Sequence, residues 1–167
     1  DIFSFEKGSL QSTKSVEGQY DFITASSNWK THNSFDYDCE ALIVAVAASG
    51  SLGRVHYANG KFISSDLCFI LKPKDSKKFP VNLEFFYSIF KSLKEDLVKS
   101  TATGTAKKSI NKTNFGNYVI PYYNFEEQIK NQNLSLKVLV FDDTYEKHYC
   151  DILLNHSIYA QEKKCYF

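Results

Sequence analysis

The chain has 167 residues, of which 43% are hydrophobic and 16% aromatic, so it is long enough to bury a core as one domain and too apolar to be disordered. It contains no run of 18 apolar residues and no signal peptide, so we expect a cytoplasmic protein without a membrane partner. The net charge of +1 hides a basic middle segment, because residues 54–112 carry twelve Lys and Arg against five acidic residues.

The first third of the sequence alternates strands with polar loops. Residues 17–24 and 40–48 are predicted strands, and the turn-rich residues 25–34 between them are a predicted loop. A glycine loop at 49–53 then leads into a further strand that starts at Arg54.

The middle of the chain contains a predicted hairpin followed by a helix. Asn59-Gly60 is a strong hairpin-turn signal, after which residues 62–71 continue as a strand interrupted at 64–66. A lysine-rich loop at 73–80 precedes a helix at 81–99. The helix is predicted from an apolar stripe with 3-4 spacing. This stripe consists of Phe86, Ile89, Phe90, Leu93 and Leu97.

The last part of the sequence is less regular. A second glycine loop spans 100–110, and an edge-type strand ended by a proline is predicted at 115–123. A helix can open at 125–128, and residues 134–140 alternate like a strand. The beginning at Asp1, in what reads as the middle of a strand, indicates a fragment or an excised domain.

The four cysteines give no metal or redox motif. Cys39, Cys68, Cys150 and Cys165 contain no CxxC pair and have no histidine at zinc-finger spacing. Cys39 and Cys68 lie in or beside apolar runs and are predicted to be small buried residues. Reduced thiols are the simplest expectation, although four cysteines allow three disulfide pairings. We expect no cofactor.

The stretch around the first glycine loop carries the clearest chemical signal. An apolar strand runs into Ser49, Gly50, Ser51 and Gly53, and Arg54 and His56 follow at once. Glycines allow close approach to a ligand, and the side chains beyond them supply hydrogen-bond donors for a polar, anionic partner. The basic middle segment fits nucleic acid, although a solvated lysine-rich face is the simpler alternative.

Two other loops have related chemistry. Trp29 lies in a polar loop, so a contact role and a packing role are equally plausible. Gly104, Lys107 and Lys108 lack the glycine that a Walker loop needs before its lysine, but they suit contacts to DNA phosphates.

Catalytic motifs are weak. The sequence has no G-x-S-x-G elbow, and Gly50-Ser-Leu-Gly53 is not a dinucleotide fingerprint. A small nuclease using Asp142, Asp143 and Glu146 is a weaker alternative, because Glu146 and Lys147 are adjacent and would point to opposite sides of a strand. We therefore expect no catalytic activity from this chain alone.

Taken in order, the motifs resemble the target recognition domain of type I restriction–modification specificity (S) subunits, which also occurs in fused type IIG restriction–methylation enzymes. The resemblance begins with Phe5-Glu-Lys-Gly8 and includes Gly50-Ser-Leu-Gly53-Arg-Val-His-Tyr57 and Tyr118-Val-Ile-Pro121. It spans residues 3–128. Beyond Gln128 the chain departs from the family pattern, because the long coiled-coil helix expected there is replaced by the alternating residues 134–140.

The resemblance implies an α+β fold: a single mixed domain with a twisted, mostly antiparallel sheet and few helices. It places the recognition domain at 1–128 and a C-terminal extension, packed on the same domain, at 129–167. The domain would read one half of a bipartite double-stranded DNA target. Methylation and cleavage would belong to methyltransferase (M) and restriction (R) subunits, or to fused equivalents.

By the resemblance, loops 25–30, 49–56 and 103–108 approach DNA. Arg54 would pair with guanine and Asn28 with adenine, and the paired lysines would hold phosphates. The full predicted set is Ser26, Ser27, Asn28, Trp29, Lys30, Ser49, Gly50, Ser51, Gly53, Arg54, His56, Gly104, Lys107 and Lys108. The rival hypothesis is a protein-interaction module that docks a methyltransferase or nuclease and does not itself bind DNA.

Overall fold

The structure is a computed structural model that describes residues 2–105 and 107–132. The chain divides into two compact units, residues 1–122 and residues from 123 onward. In the second unit the described part contains a helix over residues 125–132, which agrees with the predicted helix start. The predicted strand at 134–140, Cys150, Cys165 and the acidic residues of the nuclease hypothesis lie outside the described residues.

A six-stranded sheet forms the centre of the first unit. Its strands follow the order β1-β6-β4-β5-β2-β3, and neighbours are antiparallel except for the parallel pair β2 and β5. The strands are β1 (Phe3–Lys7), β2 (Tyr20–Ile23), β3 (Lys30–His32), β4 (Tyr37–Ala45), β5 (Val55–Ser64) and β6 (Cys68–Pro73). The predicted α+β class with a mostly antiparallel sheet is therefore confirmed.

The sheet curls around its core. The chain just after β1 bonds to two strands that are not neighbours in the sheet, since Gly8 N–H donates to the Cys68 carbonyl (3.0 Å) and Leu10 N–H donates to the Ser64 carbonyl (3.3 Å). Enclosed residues include Ile43 and Ile70, which are fully buried. Burial also raises the pKa of the Cys68 thiol to about 12, which agrees with its prediction as a small buried residue.

Helices and a short ribbon complete the first unit. Phe86 of the first helix packs edge-on against Phe3 of β1, with ring centroids 5.3 Å apart, and Leu97 of the second helix is fully buried. The elements are α1 (Leu83–Ser92), α2 (Lys94–Thr101), the ribbon β7 (Ala102–Thr103) and β8 (Ser109–Ile110), and α3 (Lys112–Gly116). Within the described residues, no helix combines the length and the apolar character that crossing a bilayer requires.

The predicted turn at Asn59-Gly60 is wrong. Both residues lie inside β5, where Asn59 pairs with Glu40 and Gly60 pairs with Cys39. Gly60 has φ of 101°, so the strand absorbs the local distortion instead of reversing. The reversal occurs at residues 65–67, where Ser65 Oγ accepts a hydrogen bond from Leu67 N–H.

The predicted single helix at 81–99 is also wrong, because it is two helices. α1 begins after Asn82, whose side chain caps Phe85 N–H at 2.9 Å. Leu93 then leaves helical geometry, with φ of −88° and ψ of 4°. The apolar stripe continues across the break, so periodicity alone did not reveal it.

Two further predictions need correction. The loop predicted at 25–34 contains β3, a three-residue edge strand paired with β2. The strand predicted at 115–123 is instead the end of α3 followed by irregular chain. Asn111 starts this helix by accepting hydrogen bonds from Thr113 and Asn114 N–H, and Val119 beyond it is 86% exposed.

The glycine loop packs against α2 at Gly53. This residue has φ of 74°, and a Cβ built on it would lie 2.6 Å from Val98 Cγ2 and 3.3 Å from Lys94 Cγ. The neighbouring Gly50 has φ of 77° but faces open space. Gly53 therefore lets the loop approach α2, whereas at Gly50 the glycine is favoured only by the positive φ of the backbone.

We expect Gly53→Ala to lower the free energy of unfolding more than Gly50→Ala. Positive φ costs either alanine roughly 1–2 kcal/mol, and contact with Val98 should add roughly 1–3 kcal/mol at Gly53. Denaturant unfolding measures both values, and Val98→Ala in the Gly53→Ala background should recover part of the loss. Equal losses for the two single variants would contradict this packing.

Candidate functional site

Residues 24–30, called here the first loop, are held in shape by their own side chains. Ser26 N–H donates to Thr24 Oγ1 at 3.3 Å. Ser26 Oγ accepts from Asn28 N–H at 3.0 Å and donates to the Asn28 carbonyl at 2.9 Å. These bonds close a tight turn, and the side chains of Ser27 and Asn28 stand exposed on it.

Residues 46–54, called here the second loop, connect β4 to β5. Ser51 N–H donates to the Ala48 carbonyl at 3.1 Å, and Arg54 N–H donates to the Ser51 carbonyl at 2.9 Å. Ser49 and Gly50 are exposed at the tip, whereas Gly53 is buried against α2. The tip of the loop is therefore exposed, whereas its base packs against α2.

Arg54 joins the first two loops. Its Nη1 atom donates to the Ala25 carbonyl at 3.2 Å and to Ser51 Oγ at 3.1 Å. Charge-assisted bonds of this kind are stronger than neutral ones. A side chain predicted to contact DNA therefore also binds the loops to each other.

Trp29 and His56 form a second link between the first loop and β5. Trp29 Nε1 donates to His56 Nδ1 at 3.2 Å, and the rings meet edge-on with centroids 5.6 Å apart. His56 is 8% exposed, and Trp29 is 38% exposed. Because Nδ1 accepts a hydrogen bond, His56 is neutral and carries its proton on Nε2.

The surroundings of His56 lower its pKa. Burial is the main cause, and the positive charge of Arg54 adds to it. The carbonyls of Thr24 and Ser26 oppose the shift, although Nε2 makes no hydrogen bond of normal geometry within the described residues. The site therefore favours the neutral imidazole.

The β7–β8 hairpin brings the third predicted loop beside the second. Ile110 N–H donates to the Val46 carbonyl at 2.8 Å, which ties β8 to the end of the central strand. Gly104 has φ of 99° and closes the hairpin, since a Cβ there would lie 2.6 Å from the Lys107 carbonyl oxygen. Lys107 and Lys108 are exposed and make no hydrogen bond or ion pair to the described part of the chain.

A groove of about 410 Å³ runs between the second loop, α2 and the hairpin. Its charged lining residues are Lys94, Glu95, Lys99 and Lys108. Lys94 and Lys99 were not among the predicted DNA-binding residues. The signal that pointed to them was their position off the apolar stripe of the helix, which by itself indicates only exposure to solvent.

The structure brings the three predicted loops side by side, although Gly53 and His56 are buried and do not reach the surface. Lys30 differs from the others, because its Nζ donates to the Ser12 carbonyl at 2.9 Å and so holds a neighbouring turn. Among residues 2–105 and 107–132, no group of three or more His, Cys, Asp or Glu side chains is arranged to bind a metal ion.

The low pKa of His56 predicts a pH-dependent stability. Below pH 6.5 the unfolded chain takes up a proton at this position while the folded protein does not, so the free energy of unfolding should fall as the pH drops toward the folded pKa. The loss amounts to about 1.4 kcal/mol for each unit of pKa lowering. Denaturant titrations of wild type and His56→Gln from pH 7.5 to 5 measure it. Identical pH slopes for the two proteins would contradict the prediction.

Comparison with known proteins identifies the family. A family model described as a type I restriction modification DNA specificity domain matches residues 1–145. The S subunit of a type I restriction-modification system from M. genitalium is 25% identical in sequence and superposes with a TM-score of 0.67. That match covers 85% of this chain and 37% of the S subunit.

Two more distant structures share the fold. The HsdS subunit from Thermoanaerobacter tengcongensis is 16% identical, with a TM-score of 0.55, and the match covers 94% of this chain and 42% of HsdS. A chain from a study of assembly and conformational transition of the type I R-M system is 17% identical, with a TM-score of 0.54 and coverages of 94% and 43%. No curated protein matches the sequence.

The chain spans less than half the length of each of these solved structures. The resemblance inferred from the ordered motifs is nevertheless confirmed by the family match and by the shared fold. The chain belongs to the type I restriction–modification DNA specificity domain family.

Proposed function

We propose that this chain recognises a specific sequence in double-stranded DNA for a restriction–modification system, and that it has no catalytic activity alone. Within the proposed function, the first loop, the second loop and the β7–β8 hairpin face the duplex. The observation that carries the proposal is the joining of these three segments into one basic surface with exposed polar side chains.

The charge on this surface supports DNA binding. Arg54, Lys94, Lys99, Lys107 and Lys108 lie on the second loop, α2 and the hairpin. Lysine side chains without internal partners neutralise phosphates and release counterions, which gives affinity without sequence reading. Glu95 is the acidic residue that lines the groove among them.

Two acidic side chains lie at the opposite end of β4 from the second loop. Asp38 and Glu40 are exposed near the start of β4, and the second loop begins just after its end. At the rise of an extended strand, eight residues separate Asp38 from Val46 by about 25 Å. Because Lys61 of β5 lies opposite Asp38, this end of the sheet carries charges of both signs.

The exposed polar side chains support sequence reading. Ser27, Asn28 and Ser49 are exposed and make no side-chain hydrogen bond to the described part of the chain. Small hydroxyl and amide groups on a firmly held backbone can pair with base edges in a groove.

We further propose that methyltransferase and restriction subunits, or fused equivalents, act at the site this chain selects. Residues 1–128 would form the recognition domain and 129–167 a C-terminal extension, in the cytoplasm where these partners meet DNA. Because the chain covers less than half of the S subunits it resembles, it would read one half of a bipartite target.

The proposal predicts that the chain enriches a short motif from a randomised duplex library at low salt. We expect a motif of roughly 3–5 base pairs, and a steep loss of affinity with salt as counterions return to the DNA. Sequencing of the bound pool and titrations at several salt concentrations measure these. No enrichment, with or without a methyltransferase subunit, would favour the protein-interaction module instead.

Removing the hairpin lysines should weaken binding to all sequences alike. In the double variant Lys107→Ala and Lys108→Ala, the negative slope of log K against log salt should become shallower by about 2, since each phosphate contact contributes about 0.9. The enriched motif should stay the same.

The matched control is the double variant Lys77→Ala and Lys78→Ala. It removes the same charge from the loop after β6, at the end of that strand remote from the second loop. Its salt slope should match that of wild type. A changed motif in the hairpin variant would show that these lysines read bases and do not merely hold phosphates.

A further inference from the structure

Arg54 and Asn28 occupy opposite situations on the proposed DNA-binding surface. Arg54 is bonded internally to two loops, whereas the Asn28 side chain is exposed and makes no hydrogen bond to the described part of the chain. We infer that Arg54 is a positioning residue that fixes the first loop, and that Asn28 is the residue of this loop that reads a base. The inference rests on the proposed function and assigns roles within it.

The guanidinium geometry argues against a free reading role for Arg54. Nη1 carries two hydrogens, and its two bonds, to the Ala25 carbonyl and to Ser51 Oγ, use both. A bidentate contact to guanine through the two Nη atoms would therefore require breaking this clamp. The Nε and Nη2 atoms form a second edge of the guanidinium, which the clamp leaves open to a base. Library selection with Arg54→Ala distinguishes a base contact through this edge from a positioning role.

The clamp acts at the point where the first loop begins. Ala25 is buried, and the turn closed by Ser26 follows it directly. Fixing the Ala25 carbonyl therefore fixes the direction in which the turn leaves the sheet. On the other side, Ser51 belongs to the second loop, so one side chain sets the relative position of both.

The first loop in turn holds Asn28 on both sides. Ser26 Oγ bonds to both the N–H and the carbonyl of Asn28, and the next residue, Trp29, is attached to His56. The carboxamide itself is exposed and offers one acceptor and one donor edge. That pattern complements the N6 and N7 atoms of adenine, and a preorganised backbone lowers the cost of binding.

Trp29 reports on the first loop without any label, because it is the single tryptophan of the chain. In the absence of DNA, acrylamide quenching of its emission should rise in Arg54→Ala, and rise less in Ser51→Ala, which removes one of the two acceptors. Lys77→Ala removes the same charge at a remote loop and should leave quenching unchanged. Asn28→Ala should also leave it unchanged, since only backbone atoms of Asn28 hold the loop.

Selection from the randomised duplex library then distinguishes the roles on DNA. Arg54→Ala should still enrich the wild-type motif, with affinity for the specific site reduced about tenfold. Asn28→Ala should lose discrimination at one base pair by about tenfold or more, as expected for loss of a bidentate contact. Circular dichroism checks folding, and Ser51→Ala provides the same test if Arg54→Ala does not fold.

Each result decides a separate claim. Unchanged Trp29 quenching in Arg54→Ala, together with a lost preference at one base pair, would make Arg54 a direct reader and overturn its positioning role. A wild-type motif from Asn28→Ala would overturn the reading role of Asn28. If wild type enriches no motif, the proposed function and the reading role both fail, while Trp29 quenching still decides the positioning role.

Discussion

The central strand β4 is the constraint on which the rest of the first unit depends. Its residues 41–45 are fully buried, and it bonds to β5 on one side and to β6 on the other. Close packing on both faces fixes the register, since a shift of one residue would exchange Ala41, Ile43 and Ala45 with Leu42 and Val44, which differ in shape and volume. The second loop therefore leaves the sheet at a fixed place, and this place determines the position of the surface that forms around the loop.

The candidate surface is held by polar contacts between segments that are distant in sequence. Arg54 reaches Ala25, Trp29 reaches His56, and Ile110 bonds to the Val46 carbonyl. Individually these bonds contribute little to stability. Together they determine which side chains remain exposed for a partner and which are used to hold the loops, a distinction that matters more for recognition than residue type alone.

The errors of the sequence interpretation have a common physical origin. Asn59-Gly60 suits a turn, but the long partner strand β4 offers hydrogen bonds that keep β5 extended through it. The stripe from Phe86 to Leu97 is continuous although the helix breaks at Leu93, because both helices bury the same kind of residue. Local propensity was overruled in each case by pairing or packing with residues far away.

The sequence by itself determined the strands around residues 20–23 and 41–45, the basic middle segment, and the ordered motifs whose resemblance to a known family implied the α+β class. These follow from periodicity, composition and spacing, which are local properties. Only the tertiary structure decided that Gly53 serves packing against α2, that Arg54 is a link between loops, and that Lys94 and Lys99 join the basic surface. The reason is that the role of a side chain depends on its contacts with groups that are distant in the sequence. Local sequence patterns do not show which distant groups lie within reach.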